Sequence, residues 1–227
     1  MKNSRGMFIV FEGIDGSGKS TQIEYLARHI KEQDKYQDVL LTREPTWRAE
    51  EIKKTLLQDK DSFSGGERLA ELFVEDRRVH THEQIVPALE QGAIVLSDRY
   101  SMSTLAYQSV QGVDLDYLLM LHEAAGTIKP DLSFLIDVFP ERAMERIAKR
   151  KGGVEKFEKQ IDFQKRLADS YRNLAGMSMG ETDSLVRRIC GFTRIIDGDR
   201  EIDEIAKGLS HVFDFYQKSY RAQKGNI

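Results

Sequence analysis

Residues 7–21, MFIVFEGIDGSGKST, constrain this chain more than any other segment. An apolar run of strand length stops at Glu12, and the next eight residues match the phosphate-loop pattern G-x-x-x-x-G-K-[ST]. The glycines allow backbone angles that turn the N–H groups of the loop toward an anion. Apolar residues at helical spacing follow, so a helix N-terminus would face the same anion. The segment therefore predicts a strand, a phosphate-binding loop and a helix.

The loop side chains indicate a nucleoside triphosphate. Lys19 can reach the β- and γ-phosphates, and the hydroxyl of Ser20 can be a ligand of Mg²⁺. The alternative, a glycine-rich turn without a ligand, is disfavoured by the strand before the loop and the helix after it. We predict that the ATP site is formed by the loop residues Gly13, Ile14, Asp15, Gly16, Ser17, Gly18, Lys19, Ser20 and Thr21.

The composition of the chain limits the classes of molecule that it is expected to bind. The chain has 34 Lys and Arg against 37 Asp and Glu, a formal charge of −3, which gives no electrostatic footprint for a nucleic acid polymer. Its one cysteine, Cys190, excludes an intramolecular disulfide and suits a reducing cytosol. No signal-peptide pattern is visible, and no apolar run approaches the ~20 residues of a membrane span. We expect a cytoplasmic protein with no membrane partner, whose ligands are small nucleotides.

Strands and helices alternate along the chain, which predicts an α/β fold. Further strands are expected at residues 39–42, 93–97, 132–136 and about 192–196. A long helix is expected from about residue 67 to 90, interrupted near Pro87. No linker or repeat divides the sequence. We therefore predict a single domain over residues 1–227, with a parallel sheet of about five strands of the P-loop NTPase type and helices on both faces.

Charged residues follow several predicted strands, where ligands of open α/β sheets bind. A phosphate-loop enzyme needs an acid beside the loop to hold Mg²⁺ or its waters, and Asp98 follows a buried strand. We predict Ser20 and Asp98 as metal ligands, either directly or through water. Asp137 also ends a strand, but we interpret it as a strand-exit residue or a helix cap.

One face of the long helix changes character along its length. Positions 69, 72, 73, 76, 77 and 80 share that face and read Leu, Leu, Phe, Asp, Arg, His. Phe73 and Arg77 are one turn apart, so an aromatic ring that stacks on a base and a guanidinium that donates to its carbonyl would project together. The alternative is a core phenylalanine beside an arginine whose guanidinium reaches solvent. The spacing alone leaves both open.

A basic cluster precedes Gly152 and Gly153 and contains Arg146, Lys149, Arg150 and Lys151. Phosphoryl transfer develops charge on the transferred group, and a mobile basic arm can neutralise that charge while excluding water. We therefore predict a mobile basic lid over about residues 145–160, with a solvated charged helix end as the alternative. Spacing does not tell which basic side chain reaches inward.

Several motifs together resemble the thymidylate kinase family. They are FEGIDGSGKST, TREP at 42–45, ELFVEDRR at 71–78, SDRYSMSTLAYQ at 97–108 and PDLSFLIDV at 130–138. The resemblance extends from residue 7 to about residue 212. It implies transfer of the γ-phosphoryl group of ATP, with Mg²⁺, to dTMP, giving dTDP for dTTP biosynthesis, and it also implies a homodimer.

The resemblance also assigns roles to residues. It implies a catalytic set of Lys19, Asp98, Arg99 and Arg150, and a dTMP site of Asp15, Glu44, Arg48, Phe73, Arg77, Arg99, Thr104, Tyr107 and Gln108. In this assignment Asp15 recognises the 3′-hydroxyl, Phe73 lies beneath thymine, and Arg77 donates to the base carbonyl. Arg99 lies at the acceptor phosphate. The wall that reads the base and excludes a ribose 2′-hydroxyl is formed by Thr104, Tyr107 and Gln108.

Two departures from the family pattern affect these roles. The family often continues TREP with Gly-Gly-Thr, whereas this chain has Thr-Trp-Arg, ending in Arg48. Some members carry a catalytic arginine where this chain has Ser17, so we place that function in the lid, at Arg150, with Arg146 and Lys149 as the next candidates.

The alternatives to a dTMP kinase are a kinase for another monophosphate, such as dUMP, and a non-catalytic P-loop sensor. A sensor would not need the acceptor residues.

Overall fold

The computed structural model describes residues 5–58, 66–151, 157–180 and 184–224. The strands are β1 (Phe8–Glu12), β2 (Val39–Arg43), β3 (Ile94–Asp98), β4 (Leu132–Asp137) and β5 (Thr193–Asp197). The helices are α1 (Lys19–Gln33), α2 (Glu50–Gln58), α3 (Gly66–His80), α4 (Val86–Glu90), α5 (Ser101–Val110), α6 (Leu115–Ala124), α7 (Pro140–Lys151), α8 (Phe157–Met179), α9 (Leu185–Cys190) and α10 (Ile202–Lys224).

The five strands form one parallel sheet in the order β2-β3-β1-β4-β5. This arrangement confirms the predicted α/β fold and its strand count. The central strand β1 is buried along its whole length because helices cover both faces of the sheet. Its register places Phe11 opposite Asp98 and Glu12 opposite Leu135. The phosphate loop after β1 therefore emerges between the ends of β3 and β4.

Alternate residues of β1 pack on opposite faces, as the pleat of a strand requires. Ile9 and Phe11 pack in one cluster with the apolar stripe of α1, which includes Leu26, and with Phe213 of α10. On the other face, Phe8 packs edge-to-face with Tyr100 at a ring distance of 4.9 Å. The helices thus hold β1 and the following loop from both sides.

The helix predicted over residues 67–90 is interrupted, as expected, but ahead of the proline. Helix α3 ends at His80, a π-helical turn covers Thr81–Ile85, and α4 begins at Val86. Pro87 has no N–H to donate to a preceding turn, and its ring crowds the carbonyl four residues earlier. The irregular turn therefore lies in the residues that precede Pro87.

Helix α9 lies between α8 and β5 in the sequence and contributes side chains to the core. Ser184 caps it by accepting a hydrogen bond of 3.2 Å from the N–H of Arg187. Val186, Ile189 and Cys190 are buried in the apolar cluster that also contains residues of α5 and α8. Among the helices within the described ranges, none has the length and apolar composition that a bilayer span requires.

Candidate active site

The phosphate loop connects the buried end of β1 to the N-terminus of α1. Gly13 and Gly16 have positive φ angles of 138° and 82°. A Cβ at Gly13 would lie 2.6 Å from the carbonyl oxygen of Ile136, and one at Gly16 would lie 2.5 Å from that of Ala143. Only glycine fits both the backbone angles and these close approaches. The loop is therefore packed directly against the end of β4 and against α7.

Lys19 is buried within this loop. Its Nζ donates hydrogen bonds of 3.0 Å to the carbonyl oxygens of Gly13 and Ile14. Burial, together with the nearby positive charge of Arg99, lowers the pKa of Lys19 to about 8, although Asp98 and Asp15 oppose this shift. An anion brought into the loop would stabilise the ammonium form of this side chain.

Ser20 and Asp98 meet at the mouth of the loop. The Oγ of Ser20, at the start of α1, donates a hydrogen bond of 2.8 Å to Oδ2 of Asp98, at the end of β3. Among the described residues, no group of three or more His, Cys, Asp or Glu side chains could hold a metal by itself. Mg²⁺ is usually held by one or two protein oxygens together with substrate phosphates and water. A hydroxyl and a carboxylate beside a phosphate loop fit that requirement.

A second pocket, of about 320 Å³, opens beside the loop between α3 and α5. It is lined by eight of the nine residues predicted for the dTMP site: Asp15, Glu44, Phe73, Arg77, Arg99, Thr104, Tyr107 and Gln108. Leu69 and Pro45 add apolar surface. The pocket therefore combines an aromatic ring and apolar walls with a few charged groups, which is typical of a small-molecule site.

The phosphate loop forms a pocket of its own, the loop pocket, which Lys19 and Asp98 help to line. The loop pocket and the α3–α5 pocket are contiguous. Asp15, Glu44 and Arg99 line both of them. Arg99 has a positive φ angle of 73°, which is uncommon for a residue with a side chain. Its Nη2 donates to Oδ1 of Asp15 at 2.6 Å and to the hydroxyl of Tyr107 at 3.3 Å. Burial raises the pKa of Tyr107 to about 12, so its hydroxyl stays protonated.

Arg77 projects into the interior of the protein, not to solvent. Its side chain is 2% exposed. Its Nε and Nη2 lie 2.8 and 2.7 Å from Oε2 of Glu44, and Nη2 donates to Oγ1 of Thr104 at 3.0 Å. The guanidinium also lies 4.9 Å from the ring centre of Tyr100. The alternative of a solvent-reaching arginine is wrong because a buried carboxylate holds the charge inside.

Arg48 is the one predicted dTMP residue that the structure does not bring to this pocket. Its guanidinium pairs with Glu83, and both side chains are about half exposed. It also lies 5.1 Å from the ring centre of Trp47, which is 71% exposed. The Thr-Trp-Arg segment that replaces Gly-Gly-Thr thus directs Arg48 along the protein surface.

Similarity to known proteins identifies the family. The thymidylate kinase family model matches residues 11–183. The probable thymidylate kinase of Thermococcus gammatolerans is 42% identical over 180 residues, 76% of this chain and 84% of that protein. The thymidylate kinase of Ruegeria pomeroyi is 39% identical over 211 residues, which cover 91% of this chain and 94% of that protein. The crystal structure of thymidylate kinase from Ehrlichia chaffeensis has a TM-score of 0.69 and 28% identity, and the match covers 92% of this chain and 99% of that one. The chain belongs to the thymidylate kinase family.

Membership of the thymidylate kinase family confirms the resemblance drawn from the motifs, but the lid stays a prediction. Residues 152–156, including Gly152 and Gly153, lie outside the described residues, as does the side chain of Arg150. Lys149 is exposed on α7. Arg146 lies against the phosphate loop, where its Nη1 is 3.3 Å from the carbonyl oxygen of Gly16 and its Nη2 is 3.1 Å from that of Gly198.

Three buried residues that contact the predicted site were not themselves predicted to belong to it. Glu12 accepts hydrogen bonds from Ser103 and from the N–H of Tyr100. His80 contacts Oε1 of Glu44 at 3.0 Å, and His122 contacts Nη1 of Arg77 at 2.8 Å. Glu12 and His80 had a signal in the sequence, because Glu12 ends an apolar run and His80 lies on the helix face that changes from apolar to charged. His122 had none.

Proposed function

We propose that this chain transfers the γ-phosphoryl group of ATP to dTMP, giving ADP and dTDP. The observation that carries this proposal is the continuity of the two pockets at Asp15, Glu44 and Arg99. A triphosphate in the loop and a monophosphate in the α3–α5 pocket would have their phosphates adjacent at this junction. Membership of the thymidylate kinase family supports the same substrates.

In this proposal the donor is held by the phosphate loop. The N–H groups of the loop and Lys19 bind the β- and γ-phosphates, and the ammonium of Lys19 exchanges its two carbonyl partners for phosphate oxygens. Ser20 and Asp98 would hold Mg²⁺ directly or through water. When bound, that ion neutralises charge on the β- and γ-phosphates.

The acceptor is held by the α3–α5 pocket. Phe73 stacks on the base, Arg77 donates to a base carbonyl, and Arg99 lies at the acceptor phosphate. Asp15 accepts from the 3′-hydroxyl. The remaining wall is formed by Glu44, Thr104, Tyr107 and Gln108. Arg48 is proposed for this site from the family resemblance alone, and its pairing with Glu83 does not support it.

No strong general base is needed in this reaction. A phosphate acceptor is ionised at neutral pH, so catalysis depends on alignment of the two phosphates and on neutralisation of their charge. Lys19 and Arg99 supply positive charge from the described part of the site. We further propose that a lid over residues 145–160 closes over the transferred group and contributes Arg150.

We also propose that the chain is one cytoplasmic domain over residues 1–227 and, from the family resemblance, that it forms a homodimer. Sedimentation velocity at micromolar concentration tests the homodimer directly. A single species with the mass of one chain would contradict it.

The proposed activity is tested by ADP release with ATP and Mg²⁺ and one monophosphate at a time: dTMP, dUMP, dCMP, dGMP, dAMP or UMP. We expect the fastest turnover with dTMP and some with dUMP, because one methyl group in a pocket is worth only ~1–3 kcal/mol. Lys19→Ala should lower turnover at least about a hundredfold, while the exposed Lys31→Ala should not. Fastest turnover with another monophosphate would overturn the roles of Phe73 and Tyr107.

Turnover of dTMP distinguishes a kinase from a non-catalytic sensor, and the Phe73→Ala variant tests which substrate the α3–α5 pocket binds. For a kinase, this change should raise the KM for dTMP and leave the KM for ATP nearly unchanged, because Phe73 lines the α3–α5 pocket and is not among the residues that line the pocket at the phosphate loop. A sensor would bind ATP and turn over none of the monophosphates. That result for the unsubstituted chain would contradict the proposed function.

A further inference from the structure

His122 lies in α6, outside the elements that carry the predicted site, yet it reaches the centre of the site. It is fully buried. Its Nδ1 is 2.7 Å from the carbonyl oxygen of Leu118, one helical turn earlier, and its Nε2 is 2.8 Å from Nη1 of Arg77. The imidazole thus connects the backbone of α6 to the guanidinium that lines the α3–α5 pocket.

These two contacts determine the tautomer of His122. A guanidinium has only N–H donors and the Leu118 oxygen can only accept, so Nε2 must accept from Arg77 while Nδ1–H donates to Leu118. The imidazole is therefore neutral. Burial and the positive charge of Arg77 both favour this form, and together they lower the pKa of His122 to about 3.

The protein uses most of the donors of Arg77. Nε and Nη2 face Oε2 of Glu44, Nη2 also donates to Oγ1 of Thr104, and Nη1 donates to His122. Nη1 carries a second N–H. Within the described part of the chain, no hydrogen bond accounts for that second N–H, and Arg77 lines the pocket.

We propose that His122 is a positioning residue: by accepting from Nη1 it holds Arg77 so that the second N–H of Nη1 donates to a carbonyl oxygen of the pyrimidine base. This inference rests on the proposed function. It deepens it by giving the pocket a preference for bases with a carbonyl oxygen at that point over bases with an amino group, since a guanidinium can donate but cannot accept.

The test uses side chains that reach different ring positions of His122. Glutamine places an amide oxygen where Nε2 lies, so it can still accept from Arg77. Asparagine reaches only the position of Nδ1, and leucine fills the space without an acceptor. For each variant of the full chain, the KM for dTMP, the KM for ATP, kcat, the ratio of kcat/KM for dTMP over dCMP, and the thermal midpoint are measured.

His122→Asn and His122→Leu should raise the KM for dTMP at least about tenfold, because a buried N–H of Arg77 loses its acceptor. They should also lower the preference for dTMP over dCMP and leave the KM for ATP within about twofold. His122→Gln should restore the KM for dTMP to within about threefold of the original value. Equal losses in the Asn and Gln variants would indicate a packing role and overturn the inference.

A spectroscopic measurement on the unsubstituted protein does not depend on the folding of any variant. In protein with ¹⁵N-labelled histidine, His122 should show the Nδ1–H tautomer, and the Nε2 shift should change on addition of dTMP but not of ATP. An Nε2–H tautomer would overturn the inference while leaving the proposed function intact. An unsubstituted chain with no turnover of dTMP would overturn the proposed function, and the inference with it.

Discussion

The Oγ of Ser103 donates a hydrogen bond of 2.6 Å to Oε2 of Glu12, which joins the last residue of β1 to the first turns of α5. Oε1 of the same carboxylate accepts from the N–H groups of Tyr100 and Ser103, at 2.9 and 3.2 Å. Glu12 therefore satisfies backbone donors at the N-terminus of the helix that carries Thr104. Burial raises the pKa of Glu12, opposed by the hydrogen bond from Ser103 and by nearby positive charges.

Replacement of Glu12 should destabilise the protein. Glu12→Ala removes the acceptor of the buried Tyr100 N–H and of the Ser103 hydroxyl, and we expect a loss of about 1–3 kcal/mol in the free energy of unfolding. Urea unfolding at pH 7 measures the loss, with Glu32→Ala as the control because Glu32 is exposed on α1. Equal stability of the two variants would show that water or other groups replace the carboxylate.

ATP binding should take up a proton near pH 8. The pKa of Lys19 is about 8 in the ligand-free protein, and bound phosphate raises it by stabilising the ammonium form. Calorimetry in buffers of different ionisation enthalpy should give roughly half a proton per ATP at pH 8, with affinity that falls as pH rises further. Lys19→Met should abolish the uptake. An equal uptake in that variant would assign the proton to another group.

Asp98 should control the Mg²⁺ requirement. Its carboxylate lies beside the Ser20 hydroxyl, so Asp98→Asn removes a negative oxygen from the predicted ion site. We expect the Mg²⁺ concentration for half-maximal turnover to rise about 10- to 100-fold. Asp137→Asn is the matched control, because Asp137 also ends a strand but pairs with Arg172. A similar shift in both variants would indicate a general effect of lost charge.

Acid should destabilise the protein partly through His122. Its pKa is about 3 when folded and about 6.5 when unfolded, so between these values the unfolded chain binds more protons. The free energy of unfolding should therefore fall as pH decreases through this range, by up to about 1.4 kcal/mol per pH unit from this residue. His122→Gln should show a shallower loss between pH 6.5 and 4.5, unlike a variant of the exposed His82. Parallel curves would contradict this.

Arg48 should contribute little to substrate binding. Because it pairs with Glu83 at the surface, Arg48→Ala should change the KM for dTMP by less than about threefold, as expected for an exposed ion pair. Phe73→Ala, within the pocket, should raise the same KM by more than about tenfold. A large effect of Arg48→Ala would show that Arg48 reaches the acceptor in the bound state.

Local patterns predicted much of the site. Helical spacing put Phe73 and Arg77 on one face of α3, and the structure places both in the α3–α5 pocket. The change from apolar to charged on that face corresponds to buried polar contacts: Asp76 accepts from Thr46, and Arg77 and His80 both contact Glu44. Spacing within a helix is a short-range property, so the sequence carries it directly.

Contacts between segments that are far apart in the sequence could not be predicted from such patterns. His122 reaches Arg77 across 45 positions, and Ser103 reaches Glu12 across 91. The choice between a buried and a solvent-reaching Arg77 depended on Glu44, which arrives from the end of β2. Likewise, Arg48 was predicted to bind dTMP from its position in a motif. In the structure it pairs with Glu83, which lies in the π-helical turn.

The sequence by itself determined the phosphate loop, the alternation of strands and helices, the parallel sheet and the family, because each is encoded in short-range pattern or in motif order. The tertiary structure decided which polar groups are buried together. It joined Asp15, Glu44 and Arg99 at the meeting point of two pockets and placed His122 behind Arg77. Burial and pairing of charge depend on what the folded chain brings from elsewhere, and no local pattern contains that information.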